Sequence, residues 1–198
     1  KAELLAGVVY VAEPVAQPHG EAHVLLSSAF AAYQASTPGV QVCDNATVIL
    51  GDEDEVQPDL FLRILPACQG RSRDTAKGAG AGKGPYVAGP PELIAEVALS
   101  SRSIDLHLKR QRYERSGVVE YLVVCLQPAQ IRWFVFPCAG ELSPDEGVFR
   151  SRAFPGLWVH ADALLNSDYH KVMRVLNEGL SAPEHAEFVA RLAAARKS

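Results

Sequence analysis

The stretch "PPELIAEVALS", Pro90 to Ser100, limits what this chain can fold into. Read as a strand, it puts Leu93, Ala95, Val97 and Leu99 on one face and Ile94, Glu96 and Ala98 on the other. Both faces are apolar, the pattern of a strand covered on both sides. The chain must therefore supply a sheet with a layer above it and a layer below. Glu96 is the exception in that strand. An ionised carboxylate in low dielectric is costly unless it is paired, hydrogen-bonded or bound to metal. A buried salt bridge or an edge position would satisfy it, and so would a functional site.

Flanking signals supply the layers. "ELLAGVVYVAE" places Gly7 between two β-branched runs and predicts a short hairpin. "HGEAHVLLSSAFAAYQAS" carries His23, Leu26, Phe30 and Tyr33 at helical spacing, so a core-facing helix is expected, broken at "TPG". "NATVIL" and "DLFLRIL" read as strands on either side of an acidic turn, "GDEDEVQP". The segment from about residue 69 to 88 is rich in glycine and small residues, and reads as a mobile loop. After the Glu96 strand comes a helix, "SIDLHLKRQRYERSG", with Ser103 as candidate N-cap and Gly117 closing it. "VVEYLVVCL" and "QIRWFVF" give two more strands, and "GVFRSRAFPGLWVHADALL" a further short strand and a turn. Two helices, about 168–179 and 183–196, form a C-terminal helical tail over 166–198. Strands and helices mixed in this order imply an α/β (mixed α+β) domain built on one central mixed sheet.

With 198 residues, 48% hydrophobic and 21% charged, the composition is that of a soluble globular protein. No apolar run approaches bilayer length and no signal peptide is visible, so no membrane association is expected. Lys1 stands first without a methionine, which leaves the natural start open. A net charge of −4 argues against a histone-like nucleic-acid binder, but not against a local basic groove. Cys43, Cys68, Cys125 and Cys138 lack C-x-x-C spacing, so zinc is not expected and a reducing cytoplasm fits. "KGAGAGKGP" suggests a phosphate-binding loop, yet Lys77 stands where its first glycine belongs and Gly84 where its hydroxyl residue belongs. No nucleotide cofactor is expected.

The chemistry concentrates around Glu96. Asp59 follows Pro58 at the start of "DLFLRIL", and Lys109 lies on the helix after Glu96. Two carboxylates on adjacent strands plus a lysine suit metal-assisted phosphodiester cleavage. Mg²⁺, or Mn²⁺ as a substitute, takes carboxylates, waters and phosphate oxygens, and the Val97 backbone carbonyl offers another ligand. The lysine can orient the nucleophile and offset developing charge. Each residue also has a plainer role: Asp59 as a turn residue, Lys109 as the partner of Asp105 one helical turn before it. The spacing of Leu106, Lys109 and Tyr113, however, puts Lys109 on an inward-facing stripe.

The segment "PPELIAEVALSSRSIDLHLKRQRYERSGVVEYLVV", with "AELLAGVVYVAEP…H", "QPDLFL" and "FRSRAFPGLWVHADALL", resembles the Uma-two family of restriction endonucleases, within the PD-(D/E)XK nuclease superfamily. The resemblance covers about residues 1–165 and implies a restriction-endonuclease-like core with a Mg²⁺-dependent DNA endonuclease activity. It implies Asp59 as the Pro-Asp acid, Glu96 as the second acid, and Asp105, Lys109 and Tyr113 as the family's D-x-x-x-K-x-x-x-Y helix. Glu3 corresponds to an accessory acid, and His23 to a first-helix histidine to which no chemistry is assigned. The superfamily lysine usually stands two residues after the second acid, where this chain has Ala98. Leu122 and Cys125 depart from the family's "EYWLVD", with Cys125 in the aspartate position.

Arg102, Arg110, Arg112 and Arg115, with Lys77 and Lys83 on the loop, predict a basic rim for nucleic acid, DNA by the resemblance. A homodimer would suit two-strand cleavage. Two alternatives stand: a non-catalytic module of this fold binding nucleic acid or a protein partner, and a structural core with Glu96 paired to Arg63 or Lys109.

Overall fold

The computed structural model describes residues 1–11, 13–76, 84–137 and 140–196. The chain opens with a hairpin, β1 (Ala2–Leu5) and β2 (Val8–Val11), turning through Ala6 and Gly7, both at positive φ. Glycine meets that left-handed requirement without strain. Helix α1 (Gln17–Ser36) carries Pro18 in its first turn and buries Leu26, Phe30 and Tyr33, as their spacing predicts. Four strands follow: β3 (Val40–Asp44), β4 (Val48–Gly51), β5 (Asp54–Val56) and β6 (Leu60–Ile64). Two short ones, β7 (Arg73–Asp74) and β8 (Val87–Ala88), precede the doubly apolar β9 (Leu93–Ala98).

A π-helical stretch, Ile104–Lys109, runs directly into α2 (Arg110–Ser116), which ends at the left-handed Gly117. β10 (Glu120–Leu126) and β11 (Ala129–Val135) form a long hairpin, followed by β12 (Gly140–Glu141), β13 (Val148–Arg150) and β14 (Trp158–His160). Helices α3 (Ala161–Leu165), α4 (Tyr169–Leu180) and α5 (Pro183–Ala195) complete the chain.

The central mixed sheet has the order β12-β11-β10-β9-β6-β3, with β9 and β10 parallel and its other pairs antiparallel. Every residue of β9 is buried. Leu93, Ala95 and Val97 join Leu60, Leu62, Leu122 and Val124 in a core with α1, α4 and α5. Ile94 and Ala98 turn the other way and join Phe61, Tyr113 and Tyr121. The second sheet, β2-β1-β5-β4-β8-β7, covers that other face together with α2. Glu96 is on this side, facing the second layer.

Two readings from sequence are corrected. "VQVCD" forms the edge strand β3, which the sequence reading passed over. The acidic "GDEDEVQP" contains β5, so β4 and β6 belong to different sheets instead of meeting across a turn. Asp54 can be buried there because it accepts from the Ala6 N–H and from Arg112, support that arrives from distant segments. Within the glycine-rich 69–88 segment, Arg73 and Asp74 pair with Ala88 and Val87. Its middle, residues 77–83 with Lys77 and Lys83, lies outside the described residues. Among the described residues no helix is long and apolar enough to cross a membrane.

The two C-terminal helices contribute Val172, Leu176, Phe188 and Leu192 to the larger core. Phe188, 1% exposed, sits edge-on to Phe154. Phe188→Ala is expected to cost about 3–5 kcal/mol of stability. The urea midpoint measures this, and a variant with the parent's midpoint would show that α5 is a dispensable appendage.

Candidate active site

Pairing between β6 and β9 sets Leu60 opposite Ala95, which makes Asp59 and Glu96 the next facing positions along the pair. Facing residues of an antiparallel pair share a sheet face. The backbone N–H of Asp59 donates to Glu96 Oε2 at 3.3 Å, and the Val97 N–H donates to Asp59 Oδ2 at 2.9 Å. An extended residue points its N–H and C=O toward the same neighbour, so the Val97 carbonyl lies on the Asp59 side as well.

Lys109 reaches this point from the end of the π-helical stretch. Its Nζ lies 2.8 Å from Glu96 Oε1, 2.9 Å from Glu3 Oε2 and 3.5 Å from Asp105 Oδ1. Tyr113, one turn further on, donates its hydroxyl to Glu96 Oε1 at 3.1 Å. Glu3 arrives on β1 and accepts from the Gln57 N–H at 2.7 Å. Asp105 accepts from Ser101 Oγ through Oδ2, while its Oδ1 is buried with no hydrogen-bond donor. Asp59, Glu96, Lys109, Glu3, Asp105 and Tyr113 are therefore brought together from four segments distant in sequence. A cleft of about 500 Å³ opens onto Asp59, Glu96, Val97, Asp105 and Lys109.

Two partners of Asp59 escaped the sequence reading. Lys1 Nζ lies 3.0 Å from Oδ1, and His19 Nε2 lies 3.2 Å from Oδ2. The available signal was helical spacing: His19 is one turn before His23, on the same face of α1. His23 instead braces the backbone, with Nε2 3.2 Å from the Asp59 carbonyl and 3.2 Å from Asp44 Oδ2. Arg63 pairs with Asp74 at 2.6 Å, so it is not the partner of Glu96.

The rim arginines separate. Arg112 is taken up by Asp54 and Glu53 and does not line the cleft. Arg102 and Arg110 line a different depression, beyond the 100–106 segment. Lys83 lies outside the described residues. Cys125 is fully buried beside Arg102.

Carboxylates outnumber cations in the buried part of the site, and protonation follows. Burial pushes Glu96 up to about 8, with Lys109 opposing and Asp59 adding to the rise. Asp105 is raised too, by burial, with Lys109 again opposing. Burial would also raise Asp59, but the His19 hydrogen bond, the Lys1 charge and the Val97 N–H hold it well below the usual carboxylate range. Burial would lower Lys109, but Glu96, Glu3 and Asp105 hold it well above an ordinary lysine. At neutral pH, then, Lys109 is a cation, Asp59 is an anion, and Glu96 is poised between forms. Among the described residues no three His, Cys, Asp or Glu side chains are grouped so as to hold a metal ion between them. Asp59, Glu96 and the Val97 carbonyl are the groups that could hold a divalent ion, with the cleft leaving space for water and substrate oxygens.

The sign of the Glu96 effect is testable. Its ordinary value is 4.5 and its folded value about 8, so the fold holds a proton that the unfolded chain releases between those pH values. Glu96 thus favours folding below about pH 4.5, and that contribution is lost as pH rises through 8. Glu96→Gln cannot titrate, and urea melts across this window should show a flatter loss of stability than the parent. An identical slope in the two proteins would mean that Glu96 is ionised throughout.

Comparison with known proteins adds to this geometry. The family model Uma2, described as "Putative restriction endonuclease", matches residues 1–164. No curated protein matches the chain. Among solved structures it is similar to a "putative nuclease belonging to DUF820" from Anabaena variabilis, at 9% identity and a TM-score of 0.61, covering 83% of this chain and 89% of that one. At that identity the likeness is one of fold, a mixed sheet flanked by helices. The match over residues 1–164 takes in both sheets, with Asp59 and Glu96, and ends before α4 and α5, and the chain belongs to the Uma2 family, whose description is "Putative restriction endonuclease".

Proposed function

We propose that the protein is a Mg²⁺-dependent endonuclease, with Mn²⁺ as a substitute, that hydrolyses phosphodiester bonds of DNA at Asp59, Glu96 and Lys109. The observation that carries this reading is the facing placement of Asp59 and Glu96, open to a cleft, with the Lys109 ammonium on Glu96. Family membership supports the reaction class.

The residues suit a hard divalent cation. Two carboxylates with free space in front of them match the Mg²⁺ preference for a partial protein shell completed by water and phosphate oxygens. Asp105 Oδ1 lies in the same place without a hydrogen-bond donor, and burial raises Glu96 there, so a cation would be favoured by both. When bound, the ion supplies charge against the phosphate and acidifies a water. Asp59 is already ionised and needs no proton removed. Lys109, held charged by its neighbours, acts as a hydrogen-bond donor that orients the nucleophile and offsets developing charge, and it is too basic to serve as the general base. Tyr113 and Asp105 position it, the first by fixing Glu96 Oε1 and the second by pairing along the helix.

The three carboxylates on Lys109 also favour a second reading, in which the cluster is a buried ion-pair network in a nuclease fold without chemistry. One pair of variants separates the two. Lys109→Met should retain Mn²⁺ binding by calorimetry and lose cleavage of plasmid DNA about 100–1,000-fold. Asp59→Asn should lose both. Mn²⁺ binding to the parent should release protons at neutral pH, since Glu96 must give up its own. A parent that cuts no nucleic acid and takes up no Mn²⁺, beside a Lys109→Met protein that melts early, would leave only the structural network.

A further inference from the structure

On the far side of the 100–106 segment lies a second depression of about 500 Å³, lined by Arg102, His107, Arg110, Arg132 and Phe134. No carboxylate lines it, although the chain as a whole is acidic. Arg102 and Arg110 each lack an ion-pair partner among the described residues, and the Arg102 Nε is buried with no hydrogen-bond acceptor. The guanidinium of Arg102 rests against Cys125, a buried thiol whose ionisation burial opposes. Arg110 and Arg132 lie over the Phe134 ring, at 4.4 and 5.3 Å from its centroid. Stacking on a ring leaves the in-plane N–H groups of a guanidinium free to donate. Arg132 gives Nε and one Nη to Glu141 and is the weakest donor of the three.

Two unpaired guanidiniums, Arg102 and Arg110, beside a third on one concave surface suit an anion with several oxygens. Placement narrows its source. Ile104 and Asp105 line the Asp59–Glu96 cleft, while Ser103 and Leu106 line this depression, so one short segment separates the two. We propose that the depression formed by Arg102, Arg110 and Arg132 binds a backbone phosphate of the nucleic-acid strand whose neighbouring linkage lies at Asp59 and Glu96. This assignment rests on the nuclease reading for the source of the phosphate, but not for the chemistry of the site. It makes Arg132, from β11, part of the substrate surface through the N–H groups that Glu141 leaves free, and it leaves out Arg112, which does not line this depression.

Two measurements test it. The first follows the arginine Nε–H signals by NMR as inorganic phosphate, and separately a short DNA duplex with Ca²⁺, is added to the whole protein. Saturable shifts of Arg102 and Arg110 with both probes are expected. The second compares the parent with Arg102→Gln/Arg110→Gln in duplex binding at rising salt. Losing one phosphate contact should make the log–log slope shallower by about 1. Shifts with phosphate but an unchanged duplex slope would overturn the backbone assignment. No saturable shift with either probe would overturn the site altogether and leave the Asp59–Glu96 chemistry standing. A protein that binds phosphate here but no duplex would take down the nuclease reading and keep the anion site.

Discussion

A carboxylate in the middle of a strand covered on both faces has to be neutralised, by a proton or by a cation, and in β9 Lys109 stands 2.8 Å from Glu96 to share that task. Removing two such charges from water costs several kcal/mol each before their attraction is counted. The fold lowers that cost by adding partners. Tyr113 donates to the same Glu96 oxygen, the Asp59 N–H donates to the other, and Glu3 shares the ammonium. Those partners come from α2, the start of β6 and β1. The packing of the second sheet and α2 against the central sheet is therefore tied to one buried cation.

The same cluster is over-supplied with acid. Glu3, Glu96 and Asp105 share one buried lysine, and burial raises Glu96, with Asp59 and Asp105 adding to the rise. A core evolved for stability alone is well served by apolar residues at such positions. Concentrated, perturbed carboxylates beside an open cleft are the usual mark of a site that does chemistry. Asp59 differs from Glu96 for a local reason: it lies at the strand end, where Lys1 and His19 reach it. Two facing carboxylates thus have opposite protonation behaviour within one cleft.

Arginine placement shows a comparable division of labour. Arg112 and Arg110 are two residues apart, yet one is consumed by the β4–β5 turn and the other faces an open depression. Successive helical positions point in different directions, so a run of basic residues in sequence does not become a single basic surface.

Much of the site was legible before any coordinates. The alternation in β9, the stripe Leu106–Lys109–Tyr113 and the Pro-Asp at residue 58–59 are local patterns, and local patterns are governed by the 2.0 and 3.6 residue periods of strand and helix. By itself, the sequence determined a doubly covered central strand, the acid within it and an inward-facing lysine on the next helix. Only the tertiary structure decided who meets whom. The three-residue β5, the edge strand β3, the His19 and Lys1 contacts to Asp59, and the convergence of Arg132 with Arg102 all depend on register and layer packing between segments far apart in the chain. Such contacts leave no period in the sequence, because their energy is realised only when the layers close.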